Sequence, residues 1–458
     1  TQGVIMKVVL TRPNYHSHLI TPQLGMGYIS SYINKRGFDA TIIDGLNLDL
    51  SVQEIADCCH DADVVGIGCL TDFFSEVIAL SRELKKRGKV VVIGGPHATV
   101  LPEDTLRKTD ADYVIVGEGE ITFYELLLAM SNNQPVDGIE GVVTPTTNGI
   151  SRRASIENLD DIPFPDWKQM DPRYYMKAPH GGLVKNFPVA PITSTRGCPY
   201  SCTFCASPEI WGKTIRWRSP ANVVDEIEYL VKVFGVKEIH FEDDNLTLKI
   251  SHVEEICRLI IKRNINISWA TPNGIRADKI TSEVLRLMKE SGCYLIAFGI
   301  ESGNPEILKN IKKMEELETM TYAVNEASKL GIMTQGFFIF GLPGETEETV
   351  QETIDYAKKI PLDKAQFLLL DVLPGTQLWK DHKDEFEHDL QKRSYQELTW
   401  VPDTVEKEVL EKAPARAFRS FFLRPRQILI LLRFMKVSQF KFILRRILDF
   451  GIIPYTNK

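Results

Sequence analysis

Cys198, Cys202 and Cys205 form a C-x3-C-x2-C array within Ser194-Thr-Arg-Gly-Cys-Pro-Tyr-Ser-Cys-Thr-Phe-Cys-Ala-Ser. Three thiolates this close can fold around one metal centre, and an iron-sulfur cubane is the natural candidate for an all-thiolate set. A closed structural zinc site needs a fourth ligand, and no Cys or His follows at zinc-finger spacing. The fourth iron of such a cubane would stay open to an exogenous chelator. Gly197 permits a tight loop and Pro199 stiffens it. The other five cysteines, Cys58, Cys59, Cys69, Cys257 and Cys293, are scattered and read as packing residues.

A second set of candidates is a group of glycine-bearing loops, Gly66-Ile67-Gly68, Gly94-Gly95-Pro96-His97 and Gly117-Glu118-Gly119-Glu120. They follow short Val- and Ile-rich runs that alternate with helical stretches, the sign of a doubly wound parallel sheet. Strands are predicted at 6–10, 40–43, 64–67, 90–93 and 113–116. Ligands of such sheets sit beyond the carboxyl ends of the strands, where glycine lets backbone approach closely. One glycine loop is only a tight turn; three on one edge favour a surface for a flat, bulky ligand.

The cysteine loop opens a second βα rhythm, with strands predicted at 192–194, 238–241, 267–270, 294–298, 336–340 and 366–370. Helices are expected between them at 220–234, 251–264, 282–291, 318–330 and 346–359. Six strands joined by helices fit a partial parallel barrel, with functional residues at its strand ends. The chain thus divides into a Rossmann-like sheet domain (1–145), a Pro-broken linker (146–190), the barrel (191–375) and a C-terminal helical, basic cap (376–458). From Arg416 to Arg446 run Arg419, Arg424, Arg426, Arg433, Lys436, Lys441 and Arg445, without an acid. Phe418, Phe421, Phe422, Ile428, Leu429, Leu432, Phe440, Phe442 and Leu444 lie between them, in amphipathic helices broken near Pro425. This segment either touches a membrane surface or acidic substrate, or caps the barrel with its apolar face; the cap is favoured.

A chain of 458 residues suggests about three domains. With 54 Lys+Arg against 61 Asp+Glu, the net charge of −7 gives no case for nucleic-acid binding. Eight Cys are too sparse for a secreted disulfide framework, and no signal-peptide pattern is seen, so a cytoplasmic setting is expected. No apolar run approaches the roughly 18 residues of a membrane span.

The cysteine loop, with Phe204 before its third Cys, resembles that of the radical S-adenosylmethionine (radical SAM) enzymes. Phe241-Glu-Asp-Asp-Asn-Leu-Thr resembles their element that meets the methionyl amino group, which implies Glu242, Asp243 and Asp244 there. The resemblance implies Asn273 and Arg276 at the methionyl carboxylate, and Glu301 and Ser302 at the ribose. Gly336-Phe-Phe-Ile-Phe-Gly-Leu-Pro-Gly-Glu, with Gly341, resembles the segment that packs on adenine, and Leu373-Pro-Gly-Thr closes the sixth strand as in relatives. Helix acids such as Asp225 and Glu226 read as plain surface.

Pro22-Gln-Leu-Gly-Met-Gly-Tyr-Ile-Ser, Ile93-Gly-Gly-Pro-His-Ala-Thr and Val116-Gly-Glu-Gly-Glu resemble the cobalamin-binding domain fused to radical SAM domains in methyltransferases and some anaerobic cyclases. This implies Gly25, Gly68, Thr71, Gly94, Gly95, His97, Gly117, Glu118 and Gly119 along the cobalamin. The family's D-x-H-x-x-G motif is missing: Asn14-Tyr-His-Ser-His-Leu offers His16 without its Asp or Gly. A metal-ligating His needs a partner that orients it, so cobalamin without a protein His ligand is expected. The implied cofactors are a 4Fe-4S cluster, S-adenosylmethionine and cobalamin. The implied activity is methylation of an unactivated carbon through a 5'-deoxyadenosyl radical. Alternatives on the same architecture are a cyclase, an oxidoreductase or an aminocarboxypropyl transferase, and, more distantly, an iron-sulfur electron carrier or sensor. An external one-electron reductant such as flavodoxin or ferredoxin is implied as partner. The basic tail points to an anionic or lipid-linked small-molecule substrate and a peripheral membrane contact through 416–446. Walls of its site are expected from Arg173-Tyr174-Tyr175-Met176 and Trp211-Gly212-Lys213.

Overall fold

The computed structural model describes residues 6–17, 19–147, 149–177, 184–385 and 398–434. The first sheet contains β1 (Lys7–Arg12), β2 (Asp39–Asp44), β3 (Val64–Gly68), β4 (Val90–Gly94), β5 (Tyr113–Ile115) and β6 (Val142–Val143), in the order β2-β1-β3-β4-β5-β6. The first five strands are parallel, as predicted; β6 is an antiparallel edge too short to show in a sequence pattern. Around them run α1 (Leu24–Asn34), α2 (Val52–Cys58), α3 (Phe74–Lys86), α4 (Pro96–Val100), α5 (Pro102–Thr109) and α6 (Gly119–Ser131). Both faces of the sheet are covered, which is why its strands read as unbroken Val/Ile runs: Val65, Ile67 and Ile93 pack on α3, and Val8, Leu10 and Val92 pack towards α1 and α6.

The second sheet is β14-β13-β12-β11-β10-β7, all parallel, from β7 (Val189–Ile192), β10 (Glu238–Phe241), β11 (Ser268–Ile275), β12 (Cys293–Glu301), β13 (Met333–Phe340) and β14 (Lys364–Leu369). A small hairpin, β8 (Thr195–Arg196) with β9 (Arg216–Trp217), follows β7. The expected first barrel strand at 192–194 therefore lies earlier, and Ser194 turns into the hairpin instead. The helices are α7 (Ser207–Trp211), α8 (Pro220–Phe234), α9 (Ile250–Lys262), α10 (Ser282–Glu290), α11 (Pro305–Asn310), α12 (Leu317–Lys329), α13 (Glu347–Lys359), α14 (Gln377–His382), α15 (Lys407–Phe422) and α16 (Pro425–Phe434). The predicted bounds of α8 hold because both ends are chemically marked: Ser219 accepts from the Asn222 amide, Pro220 opens the first turn, and Gly235 closes the last with φ +64°.

The linker joins the two halves. Trp167, Met170 and Tyr175 are buried in the barrel core, while Asp166 accepts from Ser30 (3.0 Å) and Gln169 from the Ile42 amide (2.8 Å) of the first domain. Tyr175, expected as a wall, is an internal strut whose hydroxyl donates to Asp44 at 2.9 Å. Tyr174 is exposed.

On the far side, Leu410, Ala413, Ala417 and Phe421 of α15 recur at helical spacing and are all buried against the barrel. Arg424 donates to the Lys358 carbonyl (2.7 Å) and Arg426 bonds Asp363 (3.1 Å), so these basic residues fasten the cap. The side chains of Leu432 and Arg433, and Lys436, Phe440, Lys441, Phe442, Leu444, Arg445 and Arg446, lie outside the described residues. Among the described residues no helix is long and apolar enough to cross a membrane.

Candidate active site

The three cysteines hang from the β8/β9 hairpin at the carboxyl end of β7. Asp243, just beyond β10, pins the start of that hairpin: one carboxylate oxygen accepts from the Ser194 amide (3.0 Å), the Ser194 hydroxyl (2.7 Å) and the Thr195 hydroxyl (2.6 Å). Gly197 then turns with φ +98°, and a Cβ there would meet the Thr214 carbonyl at 2.6 Å, so only glycine fits. The Thr203 amide donates to the Ile311 carbonyl (3.0 Å) and the Thr203 carbonyl accepts from Leu378 (3.0 Å), which docks the loop on the barrel rim.

The three thiols are half-buried and share one space. Burial raises all three pKa values, and Cys205, which also feels Asp244, Cys202 and Cys198, is pushed up to about 12. Three thiolates could gather here only around a cation that displaces their protons. Among the described residues no three Cys, His, Asp or Glu converge tightly enough for a single ion. An all-thiolate set fits a cubane, in which each thiolate takes a different iron.

Around the loop, Asn273 stands exposed on β11, with its amide 3.4 Å from the carbonyls of Glu242 and Asp243. Asp244 accepts from Ser207 at 2.8 Å, beside Cys198 and Cys205. Phe204 packs, half-buried, on the barrel core. Arg276, expected at a ligand carboxylate, instead donates to the carbonyls of Lys313 and Met314 (both 2.7 Å) and stacks 3.7 Å from the Tyr200 ring centroid. Glu301, at φ +65°, is paired with buried Lys313 at 3.0 Å. Ser302, expected at a ribose, is fully buried: it lies 3.2 Å from the Thr353 hydroxyl and accepts from the amide of Asn304, the residue that caps the start of α11. The Gly341 amide donates to Glu345, whose carboxyl burial pushes up to about 7. Tyr200 and Lys313 escaped the sequence reading; Lys312-Lys313 looks like surface charge until Glu301 folds against it.

Asp243 carries a pH signature. Burial pushes its carboxyl up to about 6, against the donors from Thr195 and Ser194. A folded pKa above the unfolded one means that its contribution to stability is complete at low pH and is lost as pH rises through about 6. Between pH 3.8 and about 6 the stability of Asp243→Asn should fall less with pH than that of the wild type, by up to roughly 3 kcal/mol. Parallel urea-midpoint curves for the two proteins would remove this assignment.

Across from the cysteine loop lies the glycine edge. Gly68 and Gly94 stand in register at the ends of β3 and β4. Gly95 has φ +109°, and a Cβ there would come within 2.8 Å of the Cys69 carbonyl. Gly25 has open space at its Cβ position, Gly119 begins α6, and Arg152 lies 3.3 Å from where a Gly117 Cβ would be. Gly25 is exposed and the other five are partly open, so the glycines line one edge of the sheet on which a flat corrin could rest. His97, expected along the cobalamin, has a buried ring tilted against Phe74 at 4.0 Å, with Nδ1 3.0 Å from the Thr71 hydroxyl. Glu118, expected at the same ligand, is bonded to Arg196 and Arg216, both at 2.8 Å. His16 is exposed between β1 and α1. Because Arg196 lies two residues before Cys198, this ion pair holds the glycine edge directly against the cysteine loop.

Two family models match the chain, the Radical SAM superfamily over residues 192–357 and the B12 binding domain over 15–127. An uncharacterized methyltransferase of Pyrococcus horikoshii is 34% identical over 93% of this chain and 94% of its own length. The cytidylyl-2-hydroxyethylphosphonate methyltransferase of Streptomyces wedmorensis is 31% identical, over 79% of this chain and 78% of that protein. An anaerobic magnesium-protoporphyrin IX monomethyl ester cyclase of Rubrivivax gelatinosus is 28% identical over 91% of this chain and 78% of that protein. Among solved structures, the radical S-adenosylmethionine methyltransferase TsrM of Kitasatospora setae, with tryptophan and a SAM analogue bound, shares the fold at a TM-score of 0.71. That match has 20% identity and covers 94% of this chain and 90% of TsrM. Two cofactor edges joined in one chain, with relatives along nearly its whole length, place it: the chain belongs to the cobalamin-binding-domain radical SAM enzymes.

Proposed function

We propose that this chain is a cobalamin-dependent methyltransferase acting on an unactivated carbon, with Cys198, Cys202 and Cys205 as the ligands of its 4Fe-4S cluster. The observation that carries the reading is the contact between the cysteine loop and the glycine edge through Arg196 and Glu118. When bound, the cluster supplies the electron that cleaves the sulfonium of S-adenosylmethionine, and cobalamin supplies the methyl group. The chain binds, orients and shields. Asn273 and the strand-end carbonyls it reaches form a polar rim for the methionyl group. Arg276 and Lys313 bring positive charge beside Cys198 and Cys202 and offset the charge of their thiolates.

Alternate residues Phe338 and Phe340 of β13 are sealed against helices, whereas Gln335, Phe337 and Ile339 stay partly open on the concave face. With Gln366 and Leu368 of β14 they offer a substrate both amide donors and apolar surface. An anionic small molecule remains the substrate class we favour, in line with the phosphonate in the name of the Streptomyces wedmorensis relative. The electron donor would be an external one-electron carrier such as flavodoxin or ferredoxin.

The chain, reconstituted anaerobically with iron, sulfide and hydroxocobalamin, should retain cobalamin and form 5'-deoxyadenosine under reduction. A candidate substrate should gain the mass of one CH2, a methyl group in place of the hydrogen that leaves on 5'-deoxyadenosine. Loss of hydrogens would identify a cyclase or oxidoreductase, a larger adduct an aminocarboxypropyl transferase, and no S-adenosylmethionine turnover an electron carrier.

A further inference from the structure

Four charged side chains, each between 5% and 8% exposed, meet where the two domains touch: Arg196 and Arg216 of the hairpin, Glu118 just before α6 and Glu120 in its first turn. Arg196 reaches Glu118 at 2.8 Å and Glu120 at 2.6 Å, one arm to each. Arg216 reaches Glu118 at 2.8 Å and the Ile156 carbonyl of the linker at 2.7 Å. The Arg196 guanidinium also lies between two rings, 5.1 Å from Tyr28 of α1 and 5.2 Å from Trp211 of α7. Burial pushes the Glu118 carboxyl up, but the two arginines outweigh it and hold the group below its ordinary range, so it stays charged opposite both guanidinium groups.

Buried ion pairs of this kind add little net stability compared with apolar side chains of the same volume. What they do supply is direction: two planar forks on two carboxylates tolerate few relative placements. Here the placements that count are those of Gly117 and Gly119, which flank Glu118, and of Cys198, two residues after Arg196. We infer that Arg196, Arg216, Glu118 and Glu120 are positioning residues that set the distance and angle between the cluster loop and the cobalamin edge. This rests on the two-cofactor reading above.

Arg196→Ala alone would strand two buried carboxylates and could unfold the interface. The test therefore uses the neutral variant Arg196→Met/Arg216→Met/Glu118→Gln/Glu120→Gln, which keeps volume and leaves no buried charge unpaired, together with Arg196→Lys. Each full-length chain is loaded with cluster and cobalamin and reduced to the paramagnetic cluster and Co(II). Frozen-solution EPR then reads the broadening that each spin imposes on the other. The wild type should show one well-defined interaction and the neutral variant a weaker, heterogeneous one, with Arg196→Lys between them. In the cofactor-free chains, amide exchange in 116–120 and 196–205 should be about tenfold faster in the neutral variant, since local opening no longer breaks directed bonds. An unchanged spin interaction with both cofactors present would overturn the inference. If a variant loses a cofactor, unchanged exchange would overturn it and faster exchange would support it. A wild type that takes up no cobalamin would defeat the proposed function instead, and exchange would still decide the role of the node.

Discussion

Replacing any one of Cys198, Cys202 and Cys205 by alanine should reduce S-adenosylmethionine cleavage to background and leave the chain without a stable 4Fe-4S cluster after reconstitution. The three are half-buried on a loop whose backbone is held by Thr203, Asp243 and the hairpin, so losing one thiol leaves its anchors intact. The unfolding midpoint of the cofactor-free chain should therefore barely move. Cys257→Ala and Cys293→Ala should behave in the opposite way. Both side chains are fully buried among barrel residues, so each substitution should cost on the order of 1 kcal/mol while iron uptake stays at the wild-type level. Iron and acid-labile sulfide analysis, with the absorption of the cluster, separates the two groups. A cluster of normal content in Cys202→Ala would contradict the assignment.

The largest expected effect on stability lies at Glu226, which the sequence pattern placed on the solvent face of α8. Its side chain is 0% exposed, paired with Arg218 at 2.6 Å and accepting from the indole of Trp167 at 2.8 Å. Arg218 in turn holds the carbonyl of Thr193 at 2.9 Å, at the exit of β7 and one turn before the cysteine loop. Glu226→Ala strands a buried guanidinium and removes the acceptor of a buried indole, at a cost of roughly 3–5 kcal/mol. Arg218→Met/Glu226→Gln, which removes both charges and keeps an acceptor for Trp167, should recover most of that loss. Urea midpoints of the three proteins provide the check; a single variant as stable as the wild type would show that the pair is solvated.

What could be read from the residues and what could not separates along physical lines. Apolar periodicity and caps are local, and they located β10 and α8 to the residue and most other strands to within a few positions. The two-residue strands of the β8/β9 hairpin and β6 have no period to detect. At strand ends the residue types were legible but their orientation was not. His97, Ser302, Glu118 and Arg276 all look like ligand groups beside a glycine loop, yet each is turned to a protein partner that lies far along the chain. Arg196 and Glu118 are 78 residues apart, and Arg276 and Lys313 are 37 apart, distances over which no local pattern operates. The cysteines were legible as a candidate ligand set because they stand close together in sequence on one short loop. The departure from D-x-H-x-x-G was legible for the same reason.

The central claim is that one chain holds a cluster and a cobalamin face to face and passes a methyl group through the cobalamin. The most direct measurement needs no substrate. The reconstituted protein is incubated anaerobically with S-adenosylmethionine bearing a trideuterated methyl group and a reductant, and the corrin is then extracted for mass spectrometry. The expected product is trideuteromethyl-cobalamin in the wild type, with 5'-deoxyadenosine formed by the wild type and not by Cys198→Ala. Cobalamin that is not retained, or that is retained but never labelled, would contradict it.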